Sequence, residues 1–222
     1  DRVRECWQAH NRFTIVDNHD KQGGFAAKVQ KVKEAVSRFV GAPMPIDHER
    51  RFLLNTNIFN SQEACRSALK KANIAFETFH VEQIYLVSDD PNRSNRVQSK
   101  SQEDDKLYTF SCRIHLADDR FHVLERTISQ RDYDHMKKSP DPRTKPVTKE
   151  VHVFSFKNQV FSLQFYPSAN QTILECKSAP TTLSDRIDLP TVFSTENTPV
   201  KDVTGSFDFS SLGYALGIPN RK

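Results

Sequence analysis

The sequence predicts an α+β chain whose main body is an antiparallel β-barrel or sheet with flanking helices, preceded by a short α/β segment. Three observations carry this. Strand-like runs recur from residue 46 onward with no long helix between them. Those runs are sharply two-faced, polar on one side and apolar on the other. The first 41 residues instead alternate helix-like and strand-like patterns.

In that first segment, 1–11 reads as the end of a helix carrying Val3, Cys6 and Trp7, and 12–17 as a short apolar strand. A polar turn through Gly23 and Gly24 leads to an amphipathic helix over about 25–40. Phe25, Val29, Val32, Val36 and Phe39 recur there at helical spacing. Gly41 ends the helix, and Ala42-Pro43-Met44-Pro45 forms a stiff linker. A helix–strand–helix unit of this size cannot stand alone and reads as the last part of an α/β domain. The boundaries predicted are therefore 1–41 for that remnant and 46–218 for the second domain.

The second domain opens with a strand over 45–54. A helix follows at 61–72 with Ser61 as N-cap and Ala64, Cys65, Ala68 and Leu69 facing inward. Strands are expected at 77–87, 107–116, 121–125, 147–156, 160–166 and 172–178. A short helix is expected at 129–138, and 88–106 reads as a long polar loop. In 107–116, Thr109, Ser111, Arg113 and His115 share one face, and Phe110, Cys112, Ile114 and Leu116 the other. In 160–166, Ser162 and Gln164 oppose Phe161, Leu163 and Phe165. A solvated outer face accounts for this pattern, and so does a polar lining turned into a barrel.

Composition bounds the function only loosely. The chain has 222 residues, a net charge of +4 and a pI near 8.8, which permits an anionic ligand but is too weak to argue for nucleic acid. The four cysteines are widely separated with no CxxC pair, which argues against a zinc ribbon or redox motif and for a reducing, cytoplasmic setting. No run is long and apolar enough to cross a membrane as a helix.

The chemistry concentrates at Asp47, Glu49 and Arg51, on alternate positions of the opening strand. Two acids and a base on one strand face can hold an ion pair, a metal or a phosphate. The triplet resembles the Glu-x-Glu-x-Lys signature of the CYTH, or triphosphate tunnel, family. Arg96-Val97-Gln98 resembles its Arg-x-Arg strand with Gln98 departing, and Arg113 falls where another base is expected. Val147-x-Lys149-x-Val151 resembles a Lys-x-Arg strand. Leu163-Gln164-Phe165 resembles a run whose acid is lost at Gln164. Leu174-Glu175-Cys176-Lys177 resembles a Glu-x-Glu strand with the charge reversed at Lys177. Asp202-Val203-Thr204 and the run 209–212 resemble the family's closing segment.

The resemblance implies an antiparallel tunnel of CYTH type. With the amphipathic helix and the proline linker, nearly the whole chain is similar to the TRPL translocation defect protein family, in which a P-loop nucleotide-binding domain precedes the CYTH domain. Residues 1–41 would be the end of that P-loop domain, although no G-x-x-x-x-G-K-[ST] run occurs. The resemblance further implies phosphate-binding residues Arg51, Arg96, Lys100, Arg113, Lys149 and Lys177. Asp47, Glu49 and Glu175 are then metal-binding or orienting acids, Mg²⁺ being the ion they could hold. Glu125 is a further candidate acid, and Arg126 alternates away from it.

A divalent ion needs several oxygen ligands, so thinning the acids favours a binding module over an enzyme, with no catalytic residue assigned. The implied ligand is a phosphoinositide headgroup or another phosphorylated small molecule. The implied setting is a GTP-binding protein of membrane-protein trafficking, cytoplasmic, with peripheral membrane contact and no nucleic acid. The rival reading is a metal-dependent triphosphatase of the CYTH family.

Overall fold

The computed structural model describes residues 50–115, 121–157, 159–176, 187–193 and 200–220, together with positions 16, 25, 28, 29, 32, 33, 35, 36, 44 and 45. The predicted α/β remnant therefore lies almost wholly outside the described residues. Positions 25, 28, 29, 32, 33, 35 and 36 are helical.

The rest is built on one ten-stranded antiparallel sheet. In chain order its strands are β1 (Met44–Pro45), β2 (Arg50–Leu53), β3 (Phe76–Leu86), β4 (Arg93–Gln102) and β5 (Asp105–His115). They continue as β6 (Phe121–Ile128), β7 (Val147–Phe156), β8 (Gln159–Tyr166), β9 (Gln171–Cys176) and β10 (Lys201–Asp202). Among the described residues from 44 onward, three α-helices accompany the sheet: α1 (Gln62–Lys71), α2 (Gln130–Met136) and α3 (Ser211–Ala215). The spatial order is β1-β6-β5-β4-β3-β7-β8-β9-β2-β10.

The expected closed barrel is not formed among the described residues, because β1 and β10 end the ladder without pairing to each other. The sheet is nevertheless strongly curled. Laid flat, the eight strand spacings from β1 to β2 would span roughly 38 Å. Yet Pro45 and Arg50 are five residues apart in the chain, a reach of about 18 Å at most. Covalent continuity draws the two edges together and gives the sheet a concave face. Of the run expected as the opening strand, 46–49 lies outside the described residues and both described ends are paired. Met44–Pro45 pairs with β6, whereas Arg50–Leu53 pairs with β9.

The second correction is β4. The polar stretch expected as loop is a full strand, paired along its length to β3 and to β5. Its polar residues conceal it because one face lines the concave side, while the other is anchored by the fully buried Val97. Pairing on both edges satisfies its backbone, which outweighs its low intrinsic β-propensity.

The main hydrophobic core sits on the convex face, under α1. Ser61 caps α1 by accepting from the Ala64 N–H at 3.2 Å, Glu63 lies in its first turn, and Lys70 and Lys71 lie in its last, all favourable to the helix dipole. Its Cys65, Ala68 and Leu69 pack with Phe52, Leu54, Phe154, Phe161, Leu163, Leu174 and Phe193. Phe154 and Phe161 are cross-strand partners with rings stacked at 5.4 Å. Each such fully buried side chain contributes about 2 kcal/mol. Because the convex face holds this core, the alternate residues of the same strands are left to line the concave face.

Candidate functional site on the concave face

Strand alternation and register decide what the concave face carries. Arg51 lies opposite Glu175, and Glu175 opposite Ser162 on β8. Ser162 lies opposite Val153, four positions from Lys149 on β7, so Lys149 shares that face. Lys149 and Lys100 both oppose Val81, from its two sides. Arg96 opposes Ser111, two positions from Arg113 on β5. Arg51, Arg96, Lys100, Arg113 and Lys149, from four separate strands, thus point to one side with Glu175 among them. Glu125, opposite Ser111, is on this face too; Arg126 is on the other, over the Phe110 ring at 5.4 Å. Asp47, Glu49 and Lys177 lie outside the described residues.

Not all of these residues converge equally. Arg51, Lys149 and Glu175 meet in one hydrogen-bonded belt that crosses the strands obliquely. Arg51 Nε donates to Glu175 Oε1 at 3.3 Å. Glu175 Oε2 accepts from Gln164 Nε2, which also donates to Ser162 Oγ at 3.1 Å. Gln164 Oε1 accepts from Lys149 Nζ at 2.8 Å and from the Tyr166 hydroxyl at 3.0 Å. Lys149 Nζ further donates to Tyr166 Oη at 3.2 Å and Ser211 Oγ at 3.3 Å. Lys100 is drawn aside, its ammonium 3.5 Å from the centre of the Phe79 ring.

Gln164 is the hinge of this belt. Both amide hydrogens and both carbonyl lone pairs are used, so its orientation is fixed. A carboxylate there would face Glu175 with no proton between them. The amide instead joins an ammonium on one side to a carboxylate on the other. Where the sequence lacks the expected acid, a bridging amide stands in its place, a role that residue type alone does not reveal.

Burial sets the electrostatics. Lys149 is buried, which pushes its ammonium down to about 7; Glu175 opposes that shift, while Arg96 and Arg51 add to it. Lys149 is therefore poised to change charge near neutral pH. Burial likewise pushes the Tyr166 hydroxyl up to about 12, so it stays a neutral donor.

Apolar layers bound the belt on both sides. On one side Tyr85, Val147, Tyr166 and Ile173 pack against Tyr214 and Ala215 of α3. The Tyr166 and Tyr214 rings stack at 3.9 Å, and Tyr214 donates to Gln171 Oε1 at 2.8 Å. Ser210 caps α3 by accepting from Gly213 N–H at 3.0 Å. On the other side Phe79, Val81, Val151 and Val153 form a second buried cluster. Tyr166 and Ser211 were also missed as site residues. Tyr166 could have been found by continuing the alternation Ser162, Gln164, Tyr166; Ser211 had no such signal, since tertiary docking alone brings it to Lys149.

The donors among the described residues do not make a preformed metal cage. Glu175 is the described carboxylate in the belt, and both its oxygens already accept hydrogen bonds. Among the described residues no three His, Cys, Asp or Glu side chains group so as to hold a metal ion. What the belt can do is complement a compact anion. It offers a buried ammonium, a nearby guanidinium and hydroxyl donors on a fixed backbone.

No protein-family model matches the sequence. No curated protein matches it either. Among solved structures the chain is similar to the inorganic triphosphatase NE1496, with a TM-score of 0.48 and 15% identity over 78% of this chain and 96% of that one. It is also similar to PH1819 protein from Pyrococcus horikoshii OT3, with a TM-score of 0.46 and 13% identity over 61% and 80%. A third is the Hippeastrum putative adenylyl cyclase HpAC1, described as having a dominant triphosphatase activity (TM-score 0.38, 12% identity, 59% and 79% covered).

Proposed function

We propose that the concave belt binds the phosphate groups of a phosphorylated small molecule. The observation that carries this is Lys149, a buried lysine on a face shared with Arg51, Arg96, Lys100 and Arg113, with Glu175 as its described acid neighbour in the belt. Burying a lysine is costly unless something repays the lost hydration. A phosphate entering the belt restores its full charge and gives Arg51 a further acceptor. Arg96, Lys100 and Arg113 supply the surrounding positive potential. From the sequence alone, Lys177 joins this basic set, and Asp47 and Glu49 orient it.

Within this reading the ligand is a phosphoinositide headgroup or a linear triphosphate. GTP binding through a P-loop region, peripheral membrane contact and a trafficking role rest on the sequence resemblance alone, as does the division into an N-terminal remnant at 1–41 and a CYTH-like domain at 46–218. The second reading is metal-dependent triphosphate hydrolysis. Glu175 favours it, because Mg²⁺ is commonly held by one or two carboxylates together with substrate phosphates. Asp47 and Glu49 are the sequence-derived candidates to complete such a set.

Titration of the protein with tripolyphosphate, without and then with Mg²⁺ or Mn²⁺, separates the two. Binding without phosphate release supports the module. Release that disappears in Glu175→Gln while binding persists supports the enzyme. No binding under either condition overturns both.

A further inference from the structure

On the concave face, Gln83 of β3 lies opposite Gln98 of β4 and opposite Val147 of β7, one strand beyond Lys149 along the belt. It is 2% exposed. Its Nε2 donates to Gln98 Oε1 at 2.6 Å, while its own Oε1 has no donor among the described residues. A buried amide oxygen without a donor is uncommon, because leaving it so forfeits the hydrogen bond it had with water. On β3 it is flanked by Val81 and Tyr85 and across the ladder by Val147, and none of them donates to it. The sequence pattern adds a second point. Gln98 stands where an arginine was expected, so the belt carries a neutral amide pair between its cationic residues instead of one more charge.

An acceptor cannot bind a fully ionised phosphate oxygen, which is itself an acceptor. It can bind a hydroxyl. We propose that Gln83 is a specificity residue that accepts a hydrogen bond from a ligand hydroxyl. The ligand is then a phosphate ester with a free hydroxyl near its phosphate, not an inorganic polyphosphate. This rests on the phosphate-binding reading above. Lys149 and Arg51 hold the charged group, and Gln83 with Gln98 reads the neutral part of the same molecule. Discrimination of this kind is strong because an analogue without the hydroxyl leaves the buried amide oxygen unpaired.

The test compares glycerol 3-phosphate with propyl phosphate, which has the same charge and chain length but no hydroxyls, and uses tripolyphosphate as a charge control. Binding is followed by NMR titration in the wild-type protein and in Gln83→Met and Gln83→Asn, with thermal melting to confirm folding. The expected result is glycerol 3-phosphate binding about tenfold tighter than propyl phosphate. In Gln83→Met that preference disappears while propyl phosphate and tripolyphosphate keep their affinities; Gln83→Asn retains part of it. Equal wild-type affinity for the two esters overturns the inference and leaves the phosphate site standing. So does an equal loss for all three ligands in Gln83→Met, which would mean that both amides are turned over and Gln83 donates to phosphate. Absence of binding by all three ligands overturns the phosphate site itself.

Discussion

Lys149 and Glu175 do not touch directly: the Gln164 amide stands between them, accepting from the Lys149 ammonium at 2.8 Å and donating to the Glu175 carboxylate. A neutral, two-handed side chain thus separates the Lys149 ammonium from the Glu175 carboxylate, which Arg51 meets on its other oxygen. Gln164→Glu would place a second carboxylate against Glu175. Repulsion would raise the pKa of one of the two acids, and the added charge would oppose an incoming phosphate. The expected outcome is at least about a tenfold loss of phosphate affinity with the fold intact, measured by calorimetric titration and near-ultraviolet circular dichroism.

Lys149 also makes stability depend on pH in a defined window. Its folded-state value, pushed down to about 7, lies below the ordinary 10.5. Between those two values the unfolded chain binds more protons than the folded one, so this residue makes stability rise with pH. The cost of burying the charge is fully present below about pH 7. Lys149→Met removes it, and should stabilise the protein at pH 6 by up to about 5 kcal/mol, with the gain vanishing towards pH 10.5. Urea melts of both proteins across pH 6 to 10.5 check the subtraction.

The same residue predicts that anion binding takes up a proton. A phosphate prefers the ammonium form, and above about pH 7 a growing share of Lys149 is neutral. Affinity should fall as pH rises through and above 7, by up to about tenfold per unit. Calorimetry in buffers of different ionisation enthalpy should show net proton uptake at pH 8, and Lys149→Met should abolish it.

A different polar group secures the convex face. Glu150, 1% exposed, receives Arg66 of α1 through Nε at 3.1 Å and Nη2 at 2.6 Å. It also lies 3.1 Å from His152 Nε2, without hydrogen-bond alignment. Burial pushes His152 down to about 4, so at neutral pH it does not replace the arginine. Arg66→Leu strands a buried carboxylate and should cost about 3 kcal/mol, whereas Arg66→Leu with Glu150→Leu should recover most of it. Urea denaturation of the single and double variants measures this.

Gly213 tests how α3 is seated. A Cβ at that position would lie 2.4 Å from the Phe207 carbonyl oxygen and 2.5 Å from that of Asp208, both backbone atoms with little room to yield. Gly213→Ala should therefore dislodge α3, freeing Tyr214 from Tyr166 and Ser211 from Lys149. A destabilisation of about 2 kcal/mol is expected, with increased amide exchange across 207–216.

The concave set was legible because period-two alternation survives any register: once Arg113, Lys149 and Glu175 are on strands, their sides follow from the apolar residues beside them. Strand β4 was not legible, since both its faces are polar apart from Val97 and only pairing to β3 and β5 makes it a strand. Closure was over-read for a related reason. Two-faced strands imply curvature, but whether the last ladder forms depends on edge pairing that side-chain pattern does not encode. The belt itself was half legible. Its charges stand out in the sequence, whereas Gln164, Tyr166, Gln83 and Ser211 look like ordinary polar residues until the sheet brings them beside a buried lysine.

The most direct test of the concave belt is calorimetric titration of a phosphorylated anion into wild-type protein and into Arg51→Met/Lys149→Met. Tripolyphosphate and an inositol phosphate serve as probes at fixed salt, because screening weakens such contacts. Saturable binding by the wild type and at least about a hundredfold weakening in a folded double variant are expected, two charge-assisted contacts being removed. Equal affinity in the two proteins, or no binding of either anion by the wild type, would contradict a phosphate site on this face.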